Sequence, residues 1–162
     1  MPFLRLTIAQ KSMLQHYIPL VFGCLRSNPT LYRPLLMKSF RCCSTIPETE
    51  YDRKADGVLA GLAEYFDSFP DWLKCDKDFD VSCSMGVLTV NVGKRVGVYV
   101  INKQTPNRQI WLSSPMSGPK RYDIVGEKWI YSHDGKSLDA LLNEEFRNIF
   151  CCDEIDFSKH MR

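Results

Sequence analysis

Apolar residues recur at Tyr51, Ala55, Val58, Leu59, Leu62, Phe66 and Phe69, in steps of three and four. That spacing places them on one face and predicts an amphipathic helix from 51 to about 69. Gly57 and Gly61 each weaken such a helix by about 1 kcal/mol relative to alanine, so tertiary packing has to hold it. Pro70 marks its end region, and residues 71–78 read as a polar connector. The period then shortens. Segments 79–83, 87–92, 96–103, 108–113, 121–124 and 129–132 are rich in β-branched and aromatic residues and read as strands. Glycine, proline and asparagine turn signals separate them, among them Ser117-Gly118-Pro119. Connections this short imply antiparallel neighbours. Ser137 then sits as an N-cap before a second helix, 138–150, with Leu138, Leu141, Leu142, Phe146 and Ile149 on one face. Ile155 and Phe157 are placed to pack back from the tail. Helix, about six strands, helix is the order of an α+β two-layer sandwich, with both helices on one face of an antiparallel sheet. The other sheet face is left open to water or a partner.

Charge divides the chain. The formal net charge of +2 averages two unlike parts. Residues 1–47 carry six bases (Arg5, Lys11, Arg26, Arg33, Lys38 and Arg41) and no acid, whereas the rest carries −4. An acid-free, arginine-bearing, serine-containing start is the composition of a mitochondrial transit peptide, expected over 1–43. The other reading is a secretory signal with 17–25 as its apolar core. It fits less well, because the bases run on past that stretch and no small-residue cleavage site follows. A domain over 48–152 and a short tail over 153–162 complete the expected organisation. The apolar run 17–25 is nine residues, and a spanning helix needs about 20, so no membrane insertion is expected.

Seven cysteines do not make a disulfide framework here. Three lie in or beside the leader. Cys75, Cys83, Cys151 and Cys152 remain, without a CxxC, and free thiols in a reducing compartment are the expectation. His133 and His160 lie far from any cysteine pair with zinc-ligand spacing. No serine, histidine and aspartate set emerges for nucleophilic catalysis. The acidic domain argues against general nucleic-acid binding.

Two constellations remain. Asp52, Asp56, Glu64 and Asp67 fall opposite the apolar stripe of the first helix, and Asp78 and Asp80 continue them at the first strand. Carboxylates without histidine or cysteine suit hard, oxygen-seeking cations. A convex ridge has no cage, so binding there should be weak; the same spacing also describes a merely solvated helix face. On the fourth strand, Ile110 and Leu112 share one face, while Gln109, Trp111 and Ser113 share the other. If the helices cover the first face, Trp111 stands on the open one among polar residues, as interface hot spots do. Packing into a local surface cluster is the alternative.

Several runs resemble the frataxin family: Asp80-Val81-Ser82, Gly86-Val87-Leu88-Thr89-Val90, the segment from Tyr99 to Asn107, Gln109-Ile110-Trp111-Leu112-Ser113-Ser114-Pro115, Ser117 to Asp123, and Tyr131-Ser132-His133-Asp134-Gly135. The resemblance covers about 51–150. It implies a matrix protein of iron–sulfur cluster assembly, monomeric, that binds Fe(II) and Fe(III) weakly. It further implies docking on the complex of cysteine desulfurase, its accessory subunits and the scaffold protein, with stimulation of sulfur transfer. Ferrochelatase is a further implied partner, through a role in haem synthesis and iron homeostasis. Ferroxidase activity at the ridge is the alternative. By position, the implied metal residues are Asp52, Asp56, Glu64, Asp67, Asp71, Asp78 and Asp80. The implied docking residues are Asn102, Gln104, Trp111 and Arg121, with Pro119 and Lys120 shaping the loop. Gly57, Ala60 and Ser68 stand where members often have acids, which lowers the ridge charge and favours the assembly role over iron storage.

Overall fold

The computed structural model describes residues 46–161. The expected transit peptide lies outside them. Helix α1 runs Glu48–Asp67 and buries Tyr51, Ala55, Val58, Leu59, Leu62 and Phe66, the stripe expected from the spacing. It starts three residues earlier than expected. At the other end it stops at Asp67, and a separate one-turn helix α2, Phe69–Trp72, holds Pro70 in its first turn. Proline is tolerated there because the first-turn N–H has no helical partner to lose.

Six strands follow: β1 Asp80–Ser84, β2 Val87–Gly93, β3 Gly97–Gln104, β4 Gln109–Ser114, β5 Gly118–Val125 and β6 Lys128–Tyr131. They form one antiparallel meander in sequence order. Helix α3 is Leu138–Phe150. Ser137 is its N-cap residue with extended backbone, but its side chain makes no capping bond.

Leu88, Val90, Tyr99, Ile101, Ile110, Leu112, Tyr122 and Trp129 point to the helices and are at most 3% exposed. Alternation along β4 is clean, with Ile110, Leu112 and Ser114 buried and Gln109, Trp111 and Ser113 only half-buried. That is the pattern of a sheet covered on one face. The tail belongs to the core: Ile155 and Phe157 are fully buried. Arg147 Nε donates to the Ile155 carbonyl at 2.8 Å, and the Phe157 N–H donates to Asn143 Oδ1 at 2.8 Å. Phe66, Phe69, Phe146 and Phe157 pack as one aromatic cluster with centroids 4.9–6.0 Å apart.

A buried polar knot ties α3 to the sheet. Glu145 Oε2 accepts from the Tyr99 hydroxyl at 2.8 Å and the Ser114 hydroxyl at 2.7 Å. Ser114 Oγ in turn accepts the N–H groups of Met116 and Ser117, at 3.0 and 3.1 Å, which shapes the β4–β5 turn. Burial and then the Glu145 hydrogen bond push the Tyr99 hydroxyl above the ordinary tyrosine range.

Candidate functional site

Tyr51, in the first turns of α1, fixes the end of the sheet that carries the polar face. Its hydroxyl donates to the Gln109 carbonyl at 2.7 Å and accepts the Gln104 N–H at 2.9 Å. One side chain thus bridges the end of β3 and the start of β4 across the turn Thr105–Asn107. Burial raises this hydroxyl to about 12, so it stays protonated and keeps both bonds at physiological pH.

Register then sets the open face. Asn102 stands directly opposite Trp111, and Trp111 directly opposite Arg121. The Arg121 guanidinium lies 4.5 Å from the Trp111 ring centroid, within the range of a cation–π contact. Trp111 Nε1 donates to Gln109 Oε1 at 3.1 Å, and Gln109 Nε2 donates to Asp123 Oδ1 at 2.8 Å. Gln104, Gln109 and Asp123 form the adjacent row in register. Trp111 is therefore both on the open face and held in a local polar cluster, so the two sequence readings describe one arrangement. Its ring is oriented before any partner arrives.

Pro119 and Lys120 differ from expectation. They sit in β5, opposite Ser113 and Leu112, rather than in a loop. The turn is 115–117. Strand β6 pairs with β5 only from Tyr122 onward, so Pro119 occupies an edge, where its missing N–H breaks no ladder. Lys120 Nζ donates to the Ser117 carbonyl at 3.0 Å and lies 5.5 Å from the Tyr131 ring centroid.

The acidic residues follow the edge where α1 meets β1, an outer strand of the sheet. Asp56, Glu64, Asp67, Asp71 and Asp80 are exposed, and Asp52 and Asp78 half-buried. The seven are not equivalent. Lys103, on β3, reaches Asp56 at 2.7 Å and Asp52 at 3.4 Å. Thr105 Oγ1 also donates to Asp52, at 3.2 Å. The Asp56 hydrogen bond leads the causes that raise the Lys103 ammonium above the usual lysine range. Asp78 pairs with Lys94 at 3.5 Å. The exposed thiol of Cys83, on β1, is raised by partial burial and then by the charges of Asp56 and Asp67, which places it along the same edge. Among the described residues, no three His, Cys, Asp or Glu side chains converge as a metal site. The ridge offers a row of single carboxylates.

Sequence reasoning missed Lys103. Its parity was the available signal: it alternates with Asn102 and Gln104, so it faces the helices while they face away. Gln109 and Asp123, which hold Trp111, were equally unassigned; their register opposite each other was not legible before the turn lengths were known.

No helix among the described residues is long and apolar enough to cross a membrane. The Frataxin-like domain model matches residues 44–152. Mitochondrial frataxin of Caenorhabditis elegans is 61% identical over 115 residues, covering 70% of this chain and 85% of that protein. The mitochondrial frataxin homolog of Drosophila melanogaster is 45% identical over 132 residues, covering 79% of this chain and 70% of the relative. Among solved structures, yeast frataxin aligns over 76% of this chain and 95% of its own, with 32% identity and a TM-score of 0.56. Both sequence relatives are named as mitochondrial, and this chain is mitochondrial with them. The family match, the shared sequence and the two-helix, six-strand sandwich agree, and the chain belongs to the frataxin family.

Proposed function

We propose that this protein is an iron-binding activator of iron–sulfur cluster assembly in the mitochondrial matrix. It docks through the open sheet face on the cysteine desulfurase–scaffold complex and its accessory subunits, and promotes sulfur transfer to the scaffold. The observation that carries this reading is the Asn102–Trp111–Arg121 row, with the indole preset by Gln109 and Arg121. An anchored tryptophan loses little side-chain freedom on binding, which is what makes such a residue an effective interface anchor. The fold supports the same division of labour. Both helices lie on the far side, so a partner can reach the polar face without displacing them.

Iron enters as cargo. The carboxylates at the α1–β1 edge suit an oxygen-preferring cation held by one or two ligands and water, which supports weak, exchangeable Fe(II) or Fe(III). Asp56, Glu64, Asp67, Asp71 and Asp80 are the exposed members. Asp52, Asp56 and Asp78 serve less readily, because Lys103 lies against the first two and Lys94 against Asp78. Delivery of Fe(II) to the scaffold, or to a ferrochelatase for haem synthesis, belongs to the same proposal. The ferroxidase reading has less support, since oxidation by oxygen needs ligands gathered around the metal and the ridge spreads them out.

Sulfide production by the assembly complex, with and without iron, tests both parts. Stimulation by this protein that rises further with Fe(II) supports the reading. Stimulation that is absent under both conditions removes it.

A further inference from the structure

A second feature lies beside the Asp78 end of the ridge, away from the open sheet face. The connector after α2, the β2–β3 hairpin and the end of α3 line an open cavity of about 530 Å³, within the range of small-molecule sites. Its wall includes Val92, Val96, Ile149 and Phe150, and the last three remain only partly buried against the core. Two exposed cations, Lys74 and Arg95, stand at its rim. Among the described residues neither has an ion-pair or hydrogen-bond partner, although the neighbouring Lys94 pairs with Asp78. The wall also holds one acid, Asp76, whose Oδ1 accepts the Asp78 N–H at 3.0 Å, so two cations stand there against one carboxylate. A Cβ added at Gly93, where φ is +116°, would lie 2.6 Å from the Asp76 Cβ. Glycine there lets the connector close onto the hairpin and complete the wall.

We propose that this cavity binds a small amphipathic carboxylate, with the charged head at Lys74 and Arg95 and an aliphatic body on Val92, Val96, Ile149 and Phe150. Charge complementarity selects the head. Unpartnered cations beside apolar surface gain most from an anion that also removes that surface from water. An apolar neutral ligand would leave both cations unused, and a bare anion would leave the apolar wall wet.

Cys75 lines the cavity and supplies the readout. Burial raises its thiol, so alkylation is followed at mildly alkaline pH by site-resolved mass spectrometry on the full chain. Exposed Cys83 on β1 serves as internal reference. The probes are octanoate, octanol and acetate. At about ten times its dissociation constant a ligand fills roughly nine sites in ten, so octanoate should slow Cys75 alkylation about tenfold relative to Cys83. Octanol and acetate should leave the ratio within about twofold. Arg95→Gln and Lys74→Gln, both at exposed positions, should each weaken the protection by octanoate, and the double variant should abolish it. The proposal is overturned if octanoate gives no Cys75-selective protection below its micelle concentration. Equal protection by octanol overturns the charge recognition, equal protection by acetate overturns the apolar recognition, and full protection in the double variant removes the two cations.

Discussion

Lys103 Nζ lies 2.7 Å from Asp56 Oδ1 and 3.4 Å from Asp52 Oδ1, so one strand lysine spans two carboxylates of the helix ridge. The ridge is therefore partly neutralised from within, at the end nearest the β3–β4 turn. Metal arriving there competes with an ammonium group already in place.

Replacing that lysine should strengthen cation binding. With Lys103→Gln, anaerobic calorimetric titration with Fe(II) is expected to give about two- to fivefold tighter binding, the scale of a partly exposed ion pair. The thermal midpoint should fall only slightly. Because Lys103 is raised in the folded state, its contribution to stability is present below the unfolded lysine value and is lost as pH rises through the folded one. Unchanged Fe(II) affinity in the variant would show that Asp52 and Asp56 are not metal ligands.

Tyr51 makes a second prediction, on stability. Tyr51→Phe removes both the bond to the Gln109 carbonyl and the bond from the Gln104 N–H. Denaturant unfolding should show a loss of about 1–3 kcal/mol at neutral pH. The sign with pH follows from the raised value of about 12. The folded state keeps this proton where the unfolded state has released it, so the hydroxyl's contribution is full below pH ~10 and disappears as pH rises toward ~12. The difference between wild type and variant should shrink over that window. A constant difference would mean the hydroxyl does not couple to folding.

Gly61 should behave against helix propensity. Glycine to alanine inside a helix ordinarily stabilises by up to about 1 kcal/mol. Here an added Cβ would collide with the backbone carbonyl oxygen of His160. The tail is pinned there, with the His160 ring stacked on Tyr65 at 4.0 Å between centroids. Gly61→Ala is expected to lower stability by about 1–3 kcal/mol, read by thermal unfolding. A gain in stability would show that the tail does not rest on α1 in solution.

Glu145 predicts a larger effect. Glu145→Ala leaves the buried Tyr99 and Ser114 hydroxyls without their acceptor and opens space beneath α3. The expected loss is about 3 kcal/mol or more. Amide exchange should rise at Met116 and Ser117, whose N–H groups depend on Ser114 Oγ. Unaltered exchange in the β4–β5 turn would separate that turn from the buried knot.

Much of this architecture was legible because each element had one dominant pattern. The bounds of α3 were readable in full, since its apolar face, its Ser137 start and its end all coincide in the sequence. The alternation of Ile110 and Leu112 with Gln109, Trp111 and Ser113 sufficed to put Trp111 on the open face. What escaped depended on contacts between distant segments. Gly61 reads as a local weakness until the tail is seen lying on it. Pro119 reads as a turn residue because its tolerance inside β5 depends on where β6 begins. Lys103 reads as one more polar residue of a docking strand, and only its partnership with Asp56 gives it a role.

The central claim is that the preset Trp111 face activates the cysteine desulfurase–scaffold complex. The most direct measurement is sulfide production by that complex at limiting concentrations of this protein, wild type against Trp111→Ala, with thermal unfolding of each as control. Losing an interface anchor costs about 2 kcal/mol or more, so the variant should need roughly 30-fold more protein for half-maximal stimulation while remaining folded. Equal stimulation by a folded Trp111→Ala protein at the same concentration would contradict the account.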